Sequence, residues 1–362
     1  MKYPSRTVII TGASAGIGRA IAHRFAREGD RVGLIARDEA ALKDVQRELQ
    51  ASGAKSVEWE AVDVSDAAAL FAAADRLERQ LGSIDIWIND AMETVFSTVA
   101  DIDPVEFRRV TEVTYLGFVY GTMAALRSMR PRRKGRIIQI GSALAYRGIP
   151  LQAAYCGAKH AIRGFTNSLR AELLHDGSGV TVSIVELPAV NTPQFDWARA
   201  HIARAPRPMG VPVEPEVAAD AVYRAAQGSS REYWLGLQTI LTILGNTIAP
   251  AYLDRYLARK AVTGQQTGTP LFVGRADNLD RPVTPLHRTR GSFSAGSSLH
   301  ALLVEGELAR TACVLIGAAL FFAAGAVATR GRTLPPPRRR RSRQSRRRAV
   351  KALPVRRALP SP

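Results

Sequence analysis

The sequence predicts an α/β protein whose doubly wound parallel sheet carries helices on both faces. Short β-branched runs alternate with longer stretches of helical spacing over residues 1–240, and a glycine-rich turn follows the first run. The chain is 46% hydrophobic and 23% charged, which is ordinary for a globular protein. Strands that alternate with helices of this length form right-handed βαβ units, so the sheet is parallel and covered on both faces.

The elements follow one another in a regular order. Apolar runs predict strands at residues 7–10, 31–36, 57–62, 84–88, 136–140, 180–186 and 232–235. Apolar residues at helical spacing predict helices at residues 16–28, 39–50, 66–81, 104–130, 152–175, 216–227 and 249–260. We therefore place the main domain at residues 1–245, followed by a C-terminal helix and a linker at residues 246–310, because residues 261–298 are rich in Gly, Pro, Thr and Ser.

The turn after the first strand has the sequence Thr-Gly-Ala-Ser-Ala-Gly-Ile-Gly, from Thr11 to Gly18. Its glycines permit a tight bend and a close approach of a pyrophosphate, and the helix N-terminus adds free N–H groups and a favourable dipole. The strand–loop–helix context favours dinucleotide binding over a purely structural glycine turn. The predicted contacts are Gly12, Ser14, Ala15, Gly16, Ile17 and Gly18.

Three further side chains indicate acid–base chemistry. Ser142 closes the fifth strand, and Tyr155 and Lys159 open the next helix four residues apart, on one helix face. A free tyrosine has a pKa near 10, which a neighbouring ammonium would lower. A Tyr-x-x-x-Lys pair alone also fits an ordinary helix surface. The upstream serine and the glycine loop favour a catalytic group, with Ser142 bonding the substrate oxygen.

The glycine-loop spacing together with Ser142, Tyr155 and Lys159 resembles the short-chain dehydrogenase/reductase superfamily, over about residues 5 to 240. The resemblance implies a Rossmann fold and hydride transfer between a nicotinamide and the carbonyl or secondary alcohol of a small molecule. Tyr155 would then be the general acid/base, and Lys159 would also hold the nicotinamide ribose. It also implies a homo-oligomer, commonly a dimer or tetramer formed through the long helices.

The end of the second strand bears on the choice of cofactor. An acid there would accept the ribose 2′-hydroxyl of NAD, but the sequence is Ala36-Arg37-Asp38. The planar fork of Arg37 can pair with a 2′-phosphate, so the resemblance implies NADP(H). The alternative is a solvated arginine at a helix entrance, and Asp38 leaves NAD open.

Further cofactor contacts come from the resemblance. They are the adenine-contacting pair Asp63 and Val64, Asn89 and Ala91 after the fourth strand, and Pro188 and Thr192 after the sixth strand. Asp63 fits equally well as the start of the next helix. Residues Pro193–Pro215 correspond to the substrate lid of the family, and Phe195 and Trp197 within it suggest a partly apolar substrate.

Two positions depart from the family pattern. Met92 stands where the family has the glycine of Asn-Asn-Ala-Gly, and Thr114 stands where the fourth catalytic residue is an asparagine. The family uses the backbone carbonyl of that asparagine to hold a water in the proton relay, so we expect Thr114 to alter the relay without abolishing it. These departures favour a rival function, a non-catalytic dinucleotide-binding sensor or scaffold, while the intact catalytic set favours an enzyme.

The C-terminal region differs from the rest of the chain. Residues 331–362 hold twelve of the Lys and Arg residues and no acid, so the rest of the chain carries only +6 of the net charge of +18. We predict a disordered tail at residues 330–362. It would bind anionic lipid headgroups, or nucleic acid without sequence specificity, since it lacks aromatic residues.

The segment before the tail, Thr311–Thr329, has nineteen residues without a charge, close to the ~20 of a membrane-spanning helix. Membrane association is favoured over an apolar helix docked on the body or on a second subunit. The N-terminus lacks the apolar core of a signal peptide, and two distant cysteines suit a reducing compartment. We therefore expect a cytoplasmic protein that associates with a membrane through its C-terminal segment, and no metal site.

Overall fold

The computed structural model describes residues 5–272 and 274–330. Within them the strands are β1 (Thr7–Thr11), β2 (Arg31–Ala36), β3 (Ser56–Ala61), β4 (Ile86–Asn89), β5 (Val95–Phe96), β6 (Gly135–Ile140), β7 (Val180–Glu186), β8 (Arg199–Ala200), β9 (Arg204–Pro206), β10 (Glu232–Leu235), β11 (Gln266–Pro270) and β12 (Leu303–Glu305). The helices are α1 (Gly16–Ala26), α2 (Glu39–Ala51), α3 (Ala67–Leu81), α4 (Pro104–Thr111), α5 (Gly117–Arg132), α6 (Ala153–His175), α7 (Gln194–Trp197), α8 (Pro215–Gln227), α9 (Leu237–Ile248), α10 (Pro250–Gly264) and α11 (Gly306–Arg330).

Eight strands form the central sheet in the order β12-β10-β7-β6-β4-β1-β2-β3. Its pairs are parallel except for β10 and β12, which run antiparallel. The order reverses between β1 and β4, and such a reversal opens a crevice beyond the carboxyl ends of the strands. The predicted doubly wound fold is confirmed, and the crevice lies beside the glycine loop that follows β1.

The inner strands of the central sheet are buried on both faces, as a parallel sheet covered by helices requires. Val8 and Ile10 of β1 contact the core beneath α1, α2 and α8, whereas Ile9 between them contacts the core beneath α3 and α5. This alternation follows from the two-residue period of a strand. Phe25 and Trp87 are fully buried in the two cores. Both cores therefore fix β1, and with it the start of the glycine loop.

The structure differs from the prediction at several points, including the short elements β5, α7, β8 and β9. The single helix expected over residues 104–130 contains a π-helical turn at Glu112–Leu116, between α4 and α5. Helix α9 and the edge strand β12 are absent from the prediction, and β12 pairs with β10, about 70 positions earlier in the sequence. Residues 261–298, expected to be a linker, include β11, which pairs with β9, and a stretch packed across the crevice.

The described residues divide into two units, one ending at Thr311 and one beginning at Ala312. Helix α11 begins five residues before the predicted apolar helix, at Gly306. Its Gly306–Ala324 stretch is long and apolar enough to cross a membrane by length and composition, with a mean hydropathy of 1.7. The large apolar residues Val314, Leu315, Ile316, Leu320, Phe321 and Phe322 are exposed. Apart from Arg330, the predicted basic tail lies outside the described residues.

Candidate active site

A cavity of about 790 Å³ lies in the crevice beyond the carboxyl ends of the strands. This volume falls within the range of about 300–1,000 Å³ usual for small-molecule and cofactor sites. Fourteen of the predicted site residues line it: Gly12, Ser14, Ala15, Gly16, Ile17, Arg37, Asp63, Val64, Ala91, Ser142, Tyr155, Lys159, Pro188 and Thr192. The remaining three, Gly18, Asn89 and Thr114, lie behind this lining.

The glycine loop needs its glycines for conformation and for space. Gly12 has a positive φ of 74°, and a Cβ there would lie 2.8 Å from the backbone of Ala91. A Cβ at Gly18 would lie 2.3 Å from the Gly12 carbonyl oxygen. The loop amide of Gly12 donates to the Ile35 carbonyl at 2.8 Å. The loop is thus packed tightly against the ends of β2 and β4, and its open side faces the cavity.

Asn89 supports the site from beneath and does not face the cavity. It is fully buried, and its side-chain amide donates to Thr122 at 3.1 Å and to Gln139 at 2.9 Å. Its oxygen accepts the indole N–H of Trp87 at 2.8 Å. These bonds join β4 to α5 and β6. The structure therefore gives Asn89 a supporting position, whereas the resemblance implies a cofactor contact.

Thr114 occupies the middle of the π-helical turn and is fully buried. Its hydroxyl donates to the Glu93 carbonyl and accepts from the Glu93 N–H, both at 2.9 Å. Single turns of π-helix are rare and frequently found at functional sites. The Thr114 side chain thus clamps the loop after β4 and does not reach the cavity, so any part it has in a proton relay belongs to its backbone.

Ser142, Tyr155 and Lys159 meet at the floor of the cavity. Ser142 follows β6 directly, and its hydroxyl accepts from the Leu144 N–H at 3.1 Å on the side of the cavity that Tyr155 also lines. The Lys159 ammonium donates to the Ile140 carbonyl at 2.7 Å and lies 5.6 Å from the centre of the Tyr155 ring. One strand end and the first turns of α6 therefore bring together the three residues that the sequence singles out.

The acid–base character of this group follows from its burial. Burial raises the pKa of Tyr155 above its ordinary value near 10, while the nearby Ser142 hydroxyl acts in the opposite direction. Burial lowers the pKa of Lys159 to about 8, and the carboxyls of Asp90 and Glu186 oppose that decrease. Tyr155 is therefore a neutral phenol at pH 7, which suits a proton donor. The lowering of the Tyr155 pKa by Lys159 stays a prediction.

The sequence analysis missed three buried carboxyls around the site. Burial raises the pKa of Asp90 and Glu186 to about 7 and that of Glu93 to about 8. Neither carboxylate oxygen of Glu186 has a hydrogen-bond partner among the described residues. An acid ending an otherwise apolar strand, as Glu186 ends β7, is the signal that could have drawn attention to it.

At the adenosine end, both predicted contacts already have protein partners. The Arg37 guanidinium donates to the Glu93 carboxylate and to the carbonyls of Asn278 and Leu279. The Asp63 carboxylate accepts from Arg109 and from the backbone and side chain of Ser65. No local sequence pattern indicates the approach of residues 278–279, which are more than 200 positions from Arg37.

The opposite end of the cavity is mainly apolar. Phe195 and Trp197 of α7, in the predicted lid, line it together with residues of the unpredicted α9 and of α10, which matches the helix predicted at residues 249–260: Leu241, Leu253, Tyr256 and Leu257. Lys260 and Arg147 add cationic groups to this wall, and Arg147 is paired with Asp254. This end can take a hydrophobic group next to Tyr155, in keeping with the partly apolar substrate expected from the lid.

Comparison with known proteins agrees with this geometry. The family model described as short chain dehydrogenase matches residues 6–202. The uncharacterized oxidoreductase YxnA of Bacillus subtilis (strain 168) is 30% identical over 303 residues, which cover 83% of this chain and 81% of the relative.

Two solved structures are also similar. An alcohol dehydrogenase from the archaeon Thermococcus sibiricus, complexed with 5-hydroxy-NADP, has a TM-score of 0.56 at 25% identity, covering 64% of this chain and 96% of its own. A metagenomic short-chain oxidoreductase in complex with NADP has a TM-score of 0.54 at 28% identity, covering 64% of this chain and 97% of its own. The chain belongs to the short-chain dehydrogenase family and is an oxidoreductase of that fold.

Proposed function

We propose that the protein transfers hydride between NADP(H) and the carbonyl or secondary alcohol of a partly apolar small molecule, with Tyr155 as the general acid/base. The observation that supports this most is the meeting of Ser142, Tyr155 and Lys159 on the cavity floor beside the glycine loop. A sensor or scaffold needs the dinucleotide cleft alone. It gives no reason for a serine, a tyrosine and a buried lysine to line the same part of that cleft.

The cleft fits a nicotinamide dinucleotide. The glycine loop lines one side of the cavity through Gly12 and Gly16, and Thr192 and Pro188 line it on the side of the catalytic group. Arg37 lines the other end and is the residue we assign to the 2′-phosphate. Two similar structures hold NADP or a derivative of it, which supports the same choice.

In the reduction direction, the bound dinucleotide supplies a hydride to the carbonyl carbon. Ser142 orients the carbonyl oxygen by a hydrogen bond, and Tyr155 donates its phenolic proton to that oxygen as negative charge develops. Lys159 stabilises the resulting phenolate through its positive charge and holds the nicotinamide ribose. Burial keeps the phenol protonated before the reaction, because it raises the pKa of Tyr155.

Replacing Tyr155 with Phe tests this proposal. We expect NADPH oxidation across a panel of ketones and aldehydes to fall by at least about 100-fold, the lower end of the usual contribution of a general acid. NADPH fluorescence should show unchanged binding. Tyr252→Phe is the matched control, since Tyr252 is 66% exposed on α10. Equal activity of Tyr155→Phe and wild type would remove Tyr155 from the mechanism, and binding without turnover by wild type would favour the sensor.

We also propose that α11 attaches the cytoplasmic body to an anionic membrane surface. Its support is the Gly306–Ala324 stretch and the exposed apolar side chains along it. A truncation for this test must end after Thr311, because β12 pairs with β10 and Arg310 pairs with Glu232. Full-length protein should float with anionic vesicles and the truncated protein should not. Equal flotation would exclude α11 as the attachment.

Self-association through the long helices is the remaining proposal. Val105 and Phe107 of α4 and Met123 of α5 are 61%, 37% and 46% exposed, respectively. Apolar side chains of this size on neighbouring helices suit a face that a second copy covers. Sedimentation of the truncation ending at Thr311 should give a dimer or tetramer, and a change of Phe107 to Glu should yield monomers. If the truncated protein without the Phe107 change is already a monomer, the proposal of self-association is wrong.

A further inference from the structure

A segment outside the region matched by the family model crosses the dinucleotide cleft. We call residues 277–291 the strap. Asn278, Pro282 and His287 of the strap line the cavity. Leu279 is buried in a small apolar cluster with Val95 and Val110. At the far end, Gly291 donates its N–H to the Asn191 carbonyl at 3.0 Å. The strap is therefore fixed at both ends and runs over the cofactor side of the cavity.

The strap uses the same donors that a dinucleotide would need. The backbone N–H of Gly16, at the start of α1, donates to the Arg288 carbonyl at 3.0 Å. The Arg37 guanidinium donates to the Asn278 carbonyl and, at 3.1 Å, to the Leu279 carbonyl. A helix N-terminus is where a pyrophosphate binds, and an arginine fork at the end of β2 is suited to a 2′-phosphate. Carbonyl oxygens of the strap thus accept the hydrogen bonds that oxygens of the pyrophosphate and of the 2′-phosphate would otherwise accept.

The strap also makes contacts, which we call its ties, that do not involve the groups expected to bind phosphate. The Thr284 hydroxyl donates to the Asp38 carboxylate, and Arg19 donates to the His287 carbonyl at 3.0 Å. The His287 ring lies over Trp197, with 5.1 Å between ring centres. These contacts stabilise the closed strap without engaging Gly16 or Arg37. They offer a way to loosen it while the phosphate-binding groups stay intact.

We propose that the strap selects the dinucleotide, because NADP(H) binds by replacing strap carbonyls at both Gly16 and Arg37, whereas NAD(H) can replace only the one at Gly16. The inference rests on the proposed function and extends it to cofactor choice. A dinucleotide binds only to molecules whose strap is open. The apparent affinity for the dinucleotide is therefore lowered in proportion to the fraction of molecules in the open state. The 2′-phosphate of NADP(H) offsets this loss of affinity, because it accepts hydrogen bonds from Arg37. When NAD(H) binds, Arg37 keeps its hydrogen bonds to the strap.

Thr284→Val tests the competition, since it removes one tie and nearly preserves side-chain volume. We expect NADPH to bind about fivefold more tightly, the change that corresponds to one net hydrogen bond. Thr289→Val is the matched control in the same strap. The Thr289 hydroxyl makes no hydrogen bond within the described part of the chain, so binding should be unchanged. Equal affinity of wild type and Thr284→Val would overturn the competition between strap and cofactor.

Hydrogen exchange of the wild-type protein provides a second test that needs no variant. We expect NADPH to slow exchange in residues 11–18 and to speed it in the strap, with a smaller increase for NADH. Slower exchange in both residues 11–18 and the strap would mean that the strap stays closed when NADPH binds. That result would overturn the inference but would still support a dinucleotide site at the glycine loop. No protection of residues 11–18 by either cofactor would overturn both the strap inference and the proposed function.

Discussion

The Thr114 clamp gives the prediction with the best-defined magnitude. Thr114→Val keeps the shape of a fully buried side chain but removes the hydroxyl that bonds both the N–H and the carbonyl of Glu93. Two backbone groups in the interior then lose their partner. An unsatisfied buried polar group costs about 1–3 kcal/mol, so we expect the free energy of unfolding to fall by roughly 2–4 kcal/mol, allowing for partial relaxation.

Urea unfolding measures this loss as a lower midpoint at an unchanged slope. Thr114→Ser is the matched control, because it keeps the hydroxyl and removes one methyl group, which costs about 1 kcal/mol. Thr114→Asn supplies an amide in place of the hydroxyl, and we expect it to retain catalytic turnover if its longer side chain is accommodated. If the free energy of unfolding of Thr114→Val lies within about 0.5 kcal/mol of wild type, the usual range of a neutral substitution, the Thr114 hydroxyl does not hold the Glu93 backbone in the way described.

Four further predictions concern the loop, the charges and the cofactor. Gly18→Ala should abolish dinucleotide binding measured by NADPH fluorescence, because its Cβ would lie 2.3 Å from the Gly12 carbonyl oxygen, and binding at wild-type affinity would contradict this. The rate of carbonyl reduction should fall as the pH rises through about 8, because Lys159 loses its proton there while the raised pKa of Tyr155 keeps the phenol protonated. Asp90→Asn should move that decline to lower pH, because it removes a carboxylate that favours the Lys159 ammonium, and an unmoved profile would count against the coupling. Arg37→Ala should weaken NADPH binding by about tenfold or more and leave NADH binding within about twofold, since one charged hydrogen bond contributes about 1.5–3 kcal/mol; equal losses for both cofactors would exclude Arg37 as the 2′-phosphate contact.

The regular part of the fold could be predicted because its signals are local. The strand that precedes the glycine loop and those that end near Ser142 and Glu186 are short runs rich in Val and Ile, and their observed bounds lie within two residues of the predicted ones. The positions of Tyr155 and Lys159 on one helix face follow from helical spacing alone. Fourteen predicted residues consequently line one cavity.

Other features depend on contacts between distant parts of the chain. The strap has a loop composition, and its ties to Gly16 and Arg37 join positions separated by more than 200 residues. Asp63 is adjacent to the cavity, but its pairing with Arg109 arises from the packing of α4 and has no pattern in sequence. The burial of Glu93 likewise follows from the clamp by Thr114. Such long-range pairings decide which predicted residues are available to a cofactor.

The central claim is that Tyr155 donates a proton as a bound nicotinamide delivers hydride, and a single-turnover measurement tests it most directly. Enzyme saturated with NADPH is mixed with a carbonyl compound that wild type reduces, and the loss of NADPH absorbance is followed. The account predicts a rate for Tyr155→Phe at least about 100-fold below wild type, with NADPH affinity unchanged. Equal single-turnover rates for the two proteins would contradict it.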